Sequence, residues 1–301
     1  LRRYLGWELA MIHTLNDVRQ PFQQAAVRAP AVAGRFYPAQ PAELGALVRR
    51  LLTAARPCPT GHVRGLIAPH AGYACSGEVA ASVYRTLTPE QAQTGTQLAG
   101  ARSALQAEAR TIYLLGPAHW RPVDGVGLPR ATAFATPLGT VPVDVERVTH
   151  LLHLGGQYRL NEAAHLPEHG LEVQLPFLQA TLGEFAIVPM LFDDGADPER
   201  TAADLAALLA ERPHDLLVVS SDLSHYHAYQ DAIILDHSLL KAVATGDLAA
   251  ANAGEACGLL PILCLMRVAQ HFGWTPHLCA YANSGDTCGP KGEVVGYGAV
   301  A

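Results

Sequence analysis

Short apolar runs bounded by Gly and Pro alternate along this chain with longer stretches whose apolar positions recur every three or four residues. The runs RGLIA, TIYLLG, FAIVPMLF, DLLVVSS, HLCAYA and EVVGYGAV have the length and continuous apolar character of buried strands. Between them, PAELGALVRRLLTAA places Leu44, Leu47, Val48, Leu51 and Leu52 on one helical face. SGEVAASVYRTL predicts a second helix with Ser76 as its N-cap, and three later segments repeat the scheme with Asp144, Asp197 and Asp236 as caps. Strands alternating with helices predict a single α/β domain, with a central, largely parallel or mixed sheet flanked by helices. That domain is expected over residues 27–301, after an extension over 1–26 to which no role is assigned. The polar, Ala/Gln-rich stretch 88–110 reads as a surface insertion.

At 301 residues the chain can bury a sizeable core. Its 21 basic residues, nearly all arginine, face 27 acidic ones and form no basic stripe, so nucleic acid is not an expected partner. No stretch reaches the roughly 18 apolar residues of a membrane span, and the amino terminus lacks the apolar core of a secretory signal. Cys58, Cys75, Cys257, Cys264, Cys279 and Cys288 form no CxxC pair and no visible disulfide framework. The expectation is therefore a cytoplasmic protein with reduced cysteines.

Three of the apolar runs end on chemistry. GLIAPH closes on His70, TIYLLGPAH on His119, and DLLVVSSDLSH delivers Asp222 and His225. In open α/β sheets the carboxyl ends of strands converge on the ligand crevice, so these loops are expected to share a metal or acid-base site. Asp222 can orient a histidine, and His225 suits a general base. His169 and Glu172 in PEHGLEV stand three apart, a spacing that solvated helix faces use often, and a solvated face is the expectation here. Cys257 precedes an apolar helix in which Pro261 is tolerable only in the first turn. At that terminus a thiol is expected to have a lowered pKa, and the thiolate is the form that binds metal. Cys264, inside the helix, reads as a small buried hydrophobe.

With these residues assembled, the chain resembles the Memo family, known in prokaryotes as protein B of the AmmeMemoRadiSam system. PAVAGRFYP, GLIAPHAGY, LLGPAH, EHGLEVQLPFL, SSDLSHY, ACG before a helix, YANSGD and VVGYGAVA carry the likeness in family order. The resemblance implies a fold like that of the class III extradiol dioxygenases, non-haem iron enzymes that open catechol rings. It makes His70, His119 and Cys257 the metal ligands, with Asp222, His225 and His169 in the same pocket as catalytic residues. A thiolate then stands where those dioxygenases use a carboxylate. Such a donor set suits Fe(II), the expected metal, with Cu or Zn as alternatives. Cys75 departs from the family pattern, which commonly has an aromatic residue there, and could bring a second thiol towards the pocket.

Two functions follow. One is a metal-dependent oxidoreductase acting on a small molecule or peptide, with AMMECR-type and radical SAM proteins of the same system as partners. The other is a non-catalytic metal- or peptide-binding protein using the same pocket.

Overall fold

The structure is a computed structural model that describes residue 22, residues 26–88 and residues 110–301. Among these, the strands are β1 (Val27–Arg28), β2 (Gly65–Ala68), β3 (Arg110–Pro117), β4 (Val126–Leu128), β5 (Ala133–Thr136), β6 (Gly139–Pro142), β7 (Tyr158–Leu160), β8 (Phe185–Phe192), β9 (Leu216–Ser220), β10 (His225–Ala228), β11 (Leu278–Asn283) and β12 (Glu293–Val300). The long helices are α1 (Pro41–Ala54), α2 (Tyr73–Tyr84), α3 (Val145–Leu154), α4 (Pro198–Glu211), α5 (Tyr229–Thr245) and α6 (Leu259–Phe272).

The expected mixed sheet is present. Its strands run in the order β10-β12-β2-β9-β3-β8-β4-β7, with β11 also on β12. The centre, β2-β9-β3-β8, is parallel, and antiparallel pairings flank it on both sides. Parallel strands covered on both faces must be apolar throughout, and Ile112, Tyr113, Leu114 and Leu115 of β3 are all fully buried. β1, β5 and β6 form a separate small sheet.

Helix starts follow the sequence in part. The Asp144 carboxylate accepts from Arg147 N, and that of Asp197 from Glu199 N and Arg200 N. Ser76 is no cap, because α2 begins earlier behind Gly72 and the Ser76 hydroxyl donates to the Ala71 carbonyl. Asp236 lies inside α5, buried, where it accepts from Ser224 N and Tyr281 Oη. Most of 1–26 and of the 88–110 insertion lies outside the described residues.

The cysteines overturn an expectation. Cys58 pairs with Cys279 across 221 residues, and Cys75 with Cys288 across 213, leaving Cys257 and Cys264 free. Partners so distant leave no spacing signature, and it is the sheet that brings β11 and its following turn against the amino-terminal third. The premise for a reduced chain, and for placing it in the cytoplasm, is thereby removed. Among the described residues no helix is long and apolar enough to cross a membrane.

A buried ion pair ties the amino-terminal segment to the loop before Leu175. Arg28 and Glu172 have fully buried side chains, with Nη1 to Oε2 at 2.7 Å. Glu172 also accepts from Ala31 N, Val32 N and the Tyr37 hydroxyl. Arg28 donates through Nε to the His165 carbonyl and through Nη2 to the Glu168 carbonyl, and it lies 5.0 Å from the Phe134 ring centroid. The expectation of a solvated His169/Glu172 face is thus wrong, because Glu172 is the centre of a desolvated knot.

Two outcomes follow from this knot. Glu172→Gln keeps the volume but leaves the Arg28 charge unpaired, so chemical denaturation should show a loss of about 3–5 kcal/mol; a loss under about 1 kcal/mol would remove the pair from its structural role. His165 is buried, its Nε2 donates to the Gly127 carbonyl at 3.0 Å, and burial lowers its pKa from 6.5 to about 4. Below pH 6.5 the unfolded chain takes up a proton that the folded chain refuses until about pH 4, so stability is full above pH 6.5 and drains as pH falls. Over that window His165→Asn should flatten the fall by up to about 1.4 kcal/mol per pH unit in denaturation profiles.

Candidate metal centre

β9 lies between β2 and β3 in parallel register, with Ala68 beside Ser220 and Leu115 beside Val219. Their carboxyl ends therefore stop side by side, and the loops bearing His70, Asp222 and His119 leave the same edge of the sheet. Cys257 reaches this edge from the turn before α6, whose N-cap is Gly258. His70, His119 and Cys257 each offer one ligand atom, all within 4.8 Å of one another, a group that can hold a metal ion.

Hydrogen bonds around the two histidines set their tautomers. The Ser220 hydroxyl donates to the Gly170 carbonyl and accepts from Gln174 Nε2 at 2.8 Å. Having spent its one hydrogen, it meets His70 Nδ1 at 3.0 Å as an acceptor, so Nδ1 carries the proton and Nε2 is bare. That bare nitrogen lies 3.3 Å from Cys257 Sγ. His119 is fixed in the same sense, its Nδ1 donating to Glu168 Oε1 at 2.8 Å while its backbone N–H donates to Oε2. Each ring thus engages its support through Nδ1 and turns Nε2 towards the other donors, the nitrogen through which a metal is bound.

The carboxylate that does this work, Glu168, was absent from the sequence reading, which paired His169 with Glu172 instead. Burial pushes its pKa up, but hydrogen bonds from the His119 ring and from Gly170 N and His119 N outweigh that and hold it at about 2. His119, Glu168 and His169 form a second group of close donor atoms. The Glu168–His119 bond already occupies it, so it reads as support for the first group rather than a separate site. Gln174 and Ser220 were likewise missed; the one legible signal was polar side chains inside otherwise apolar stretches.

His169 joins the pocket as expected. Its ring stacks 4.6 Å from that of His119 and stands 5.5 Å from that of His70, while its buried Nδ1 has no hydrogen-bond partner. Burial and the neighbouring His70 lower its pKa to about 4, and burial and His119 lower that of His70 to about 3, so both rings are neutral at pH 7.

Asp222 serves His70, through the backbone that carries it. Its Oδ1 accepts from His70 N at 2.7 Å and Ala71 N at 3.3 Å, and its Oδ2 stands 4.0 Å from His70 Nε2. It orients the His70 loop. His225 is held instead by the Leu223 carbonyl, 2.8 Å from Nδ1, and by Glu255, which accepts from its backbone N–H. The carbonyl can only accept, so His225 Nε2 is free to take a proton.

Cys257 also departs from expectation. Burial, with the Asp222 charge added, pushes its thiol up to about 12 rather than down. Desolvation outweighs the partial charge of the α6 terminus, since the thiol stands before the N-cap among buried groups. A cleft of ≈ 920 Å³ opens beside His119 and Cys257, walled by Phe192, Leu259 and Pro261, with Trp120, 61% exposed, at its rim.

Comparison with known proteins covers this entire arrangement. A family model described as Memo-like protein matches residues 28–301. A MEMO1 family protein of Aeropyrum pernix is 35% identical over 305 residues, spanning 91% of this chain and 99% of its own. One from Methanosarcina acetivorans is 35% identical over 288 residues, spanning 91% and 98%. Among solved structures, an uncharacterized protein from Escherichia coli K12 aligns over 78% of this chain and 99% of its own at 14% identity, with a TM-score of 0.44. Every side chain of the site, from Arg28 in the knot to Cys257, falls within the matched residues: the chain belongs to the Memo-like protein family.

Proposed function

We propose that this chain is a non-haem metal protein in which His70, His119 and Cys257 hold the ion, and that it acts as an oxidoreductase in its cleft. The observation that carries the reading is the shared orientation of the two histidines. Ser220 and Glu168 each accept from Nδ1 and so turn Nε2 of both rings towards Cys257, the arrangement that supports give to metal-binding histidines.

The donor set fits an ion. Two imidazoles that offer Nε2 and a thiol pushed up by burial suit a cation, whose own charge converts the thiol to thiolate on binding. Two nitrogens and one sulfur suit Fe(II), Cu(I) or Zn(II), and the dioxygenase-like architecture implied by the family favours iron. Bound there, iron supplies Lewis acidity and open coordination positions for a substrate and an oxidant.

The protein's own groups do the rest. Asp222 fixes the His70 loop through two backbone N–H groups, and Glu168 fixes the His119 ring. His225, whose Nδ1 is held from behind by the Leu223 carbonyl, takes a proton through Nε2 from substrate bound at the ion, on the His70 side. His169, neutral beside the ligand rings, lines the reacting face. AMMECR-type and radical SAM proteins of the same system are the partners this reading carries, on family likeness alone.

Anaerobic titration with Fe(II) should show one ion per chain, lost in Cys257→Ser and weakened about 10- to 100-fold in Glu168→Gln. Stoichiometric binding undiminished by Cys257→Ser would sink the ligand assignment. With iron-loaded protein and a panel of catechols and small amides, oxygen uptake should fall about a hundredfold or more in His225→Asn while the metal stays bound. Uptake indifferent to that change removes His225 as the base, and no uptake with any compound favours a binding protein without turnover.

A further inference from the structure

The two disulfides are unequal in access and in what they restrain. Cys58 is buried at 4% exposure, whereas Cys288 is exposed and Cys75 half-buried. Cys75 sits in the first turn of α2, three residues after the Gly72 N-cap, and Cys288 closes the turn Ser284–Thr287 that follows β11. That turn packs on α2, so the Cys75–Cys288 bond straps the start of α2 to the carboxyl-terminal hairpin.

The strapped turn is mechanically continuous with the metal centre. The Ser76 hydroxyl, next to Cys75, donates to the Ala71 carbonyl at 2.8 Å. Ala71 N and His70 N both donate to Asp222 Oδ1. A short run of bonds thus leads from the disulfide to the backbone that carries His70. Tyr73 independently anchors the same turn, its N–H on the Phe36 carbonyl and its hydroxyl on the Val173 carbonyl, so opening the strap loosens this region without unmaking it.

We infer that Cys75–Cys288 is a thiol-exchange site, opened by a dithiol reductant, which sets how firmly the His70 loop holds the metal centre. The metal half of this inference rests on the function proposed above. The thiolate of the dithiol attacks the exposed Cys288 sulfur, the Cys75–Cys288 bond breaks, and Cys75 leaves as a thiolate at the amino-terminal turn of a 12-residue helix, where the backbone N–H groups favour the anion. The second thiol of the reductant then displaces Cys288. Two protein thiols form, and the dithiol becomes a disulfide, having lost two electrons. A disulfide of the same class reverses the exchange. Cys58–Cys279, with one sulfur buried, is the permanent staple by contrast.

Two measurements test this. Oxidised, metal-free protein is held in dithiothreitol buffers of stepped reduced fraction, alkylated with N-ethylmaleimide and mapped by peptide mass. Cys75 and Cys288 should be labelled at a lower reduced fraction than Cys58 and Cys279, and joint opening or the reverse order overturns the exchange site. Co(II) is then titrated, with no reductant present, into the Cys75→Ser/Cys288→Ser protein and into Cys58→Ser/Cys279→Ser, read by the thiolate-to-Co(II) absorption. The first should bind about tenfold more weakly than the parent and the second within about twofold. Equal affinity in the first variant and the parent overturns the coupling. Should the variant not fold, wild type opened at Cys75–Cys288 by a phosphine and desalted anaerobically replaces it. A Co(II) absorption unaffected by Cys257→Ser instead strikes the metal reading and leaves the order of reduction to stand or fall alone.

Discussion

The desolvated Arg28–Glu172 pair is the constraint on which the rest of the structure hangs. A guanidinium and a carboxylate with no solvent contact need hydrogen-bond partners, and here every nitrogen of Arg28 and both oxygens of Glu172 have one. The partners come from two distant segments: the Ala31 and Val32 N–H groups and the Tyr37 hydroxyl on one side, the His165 and Glu168 carbonyls on the other. Meeting those demands fixes the loop that carries Glu168, His169 and Gly170 at the edge of the sheet. His119 and His70 are then oriented by what that loop offers, Glu168 for His119 and the Gly170 carbonyl, through Ser220, for His70.

Geometry at the centre therefore derives from its supports more than from the donor residues. Three strands in parallel register bring the loops to one edge, but parallel strands alone would leave each imidazole free to rotate and to protonate either nitrogen. Ser220, Gln174 and Glu168 remove that freedom. Asp222 and the disulfide at α2 restrain the His70 backbone from the opposite side, so the two histidine loops are held by separate devices, one electrostatic and buried, the other covalent and partly exposed.

Reading the chain as a sequence located the donors better than their supports. His70, His119 and Asp222 were legible because each follows a run too apolar to be anything but a buried strand, and strand ends in such sheets face one crevice. Cys257 was legible from its place before a helix, although its acidity was not, since helix position says nothing about burial. Glu172 looked like half of a solvated i,i+3 pair because its partner Arg28 lies 144 residues away. Asp236 and Ser76 fitted cap patterns, and only the course of the chain showed that one is buried within a helix and the other clamps the loop preceding its helix.

By itself, then, the sequence determined what local periodicity and strand-end chemistry can encode: a mixed sheet flanked by helices, its buried central strands, some of the helix starts, and the strand-end imidazoles that meet at its crevice, to which family likeness added the thiol. Tertiary structure decided everything that depends on contacts between residues distant along the chain. It made Glu168 the support of His119 and buried Glu172 against Arg28, set Asp222 under the His70 loop, and joined four cysteines whose spacing carries no signature. The physical reason is common to all three. Hydrogen bonds, ion pairs and disulfides form between groups that the folded sheet makes neighbours, and separation along the chain does not record that neighbourhood.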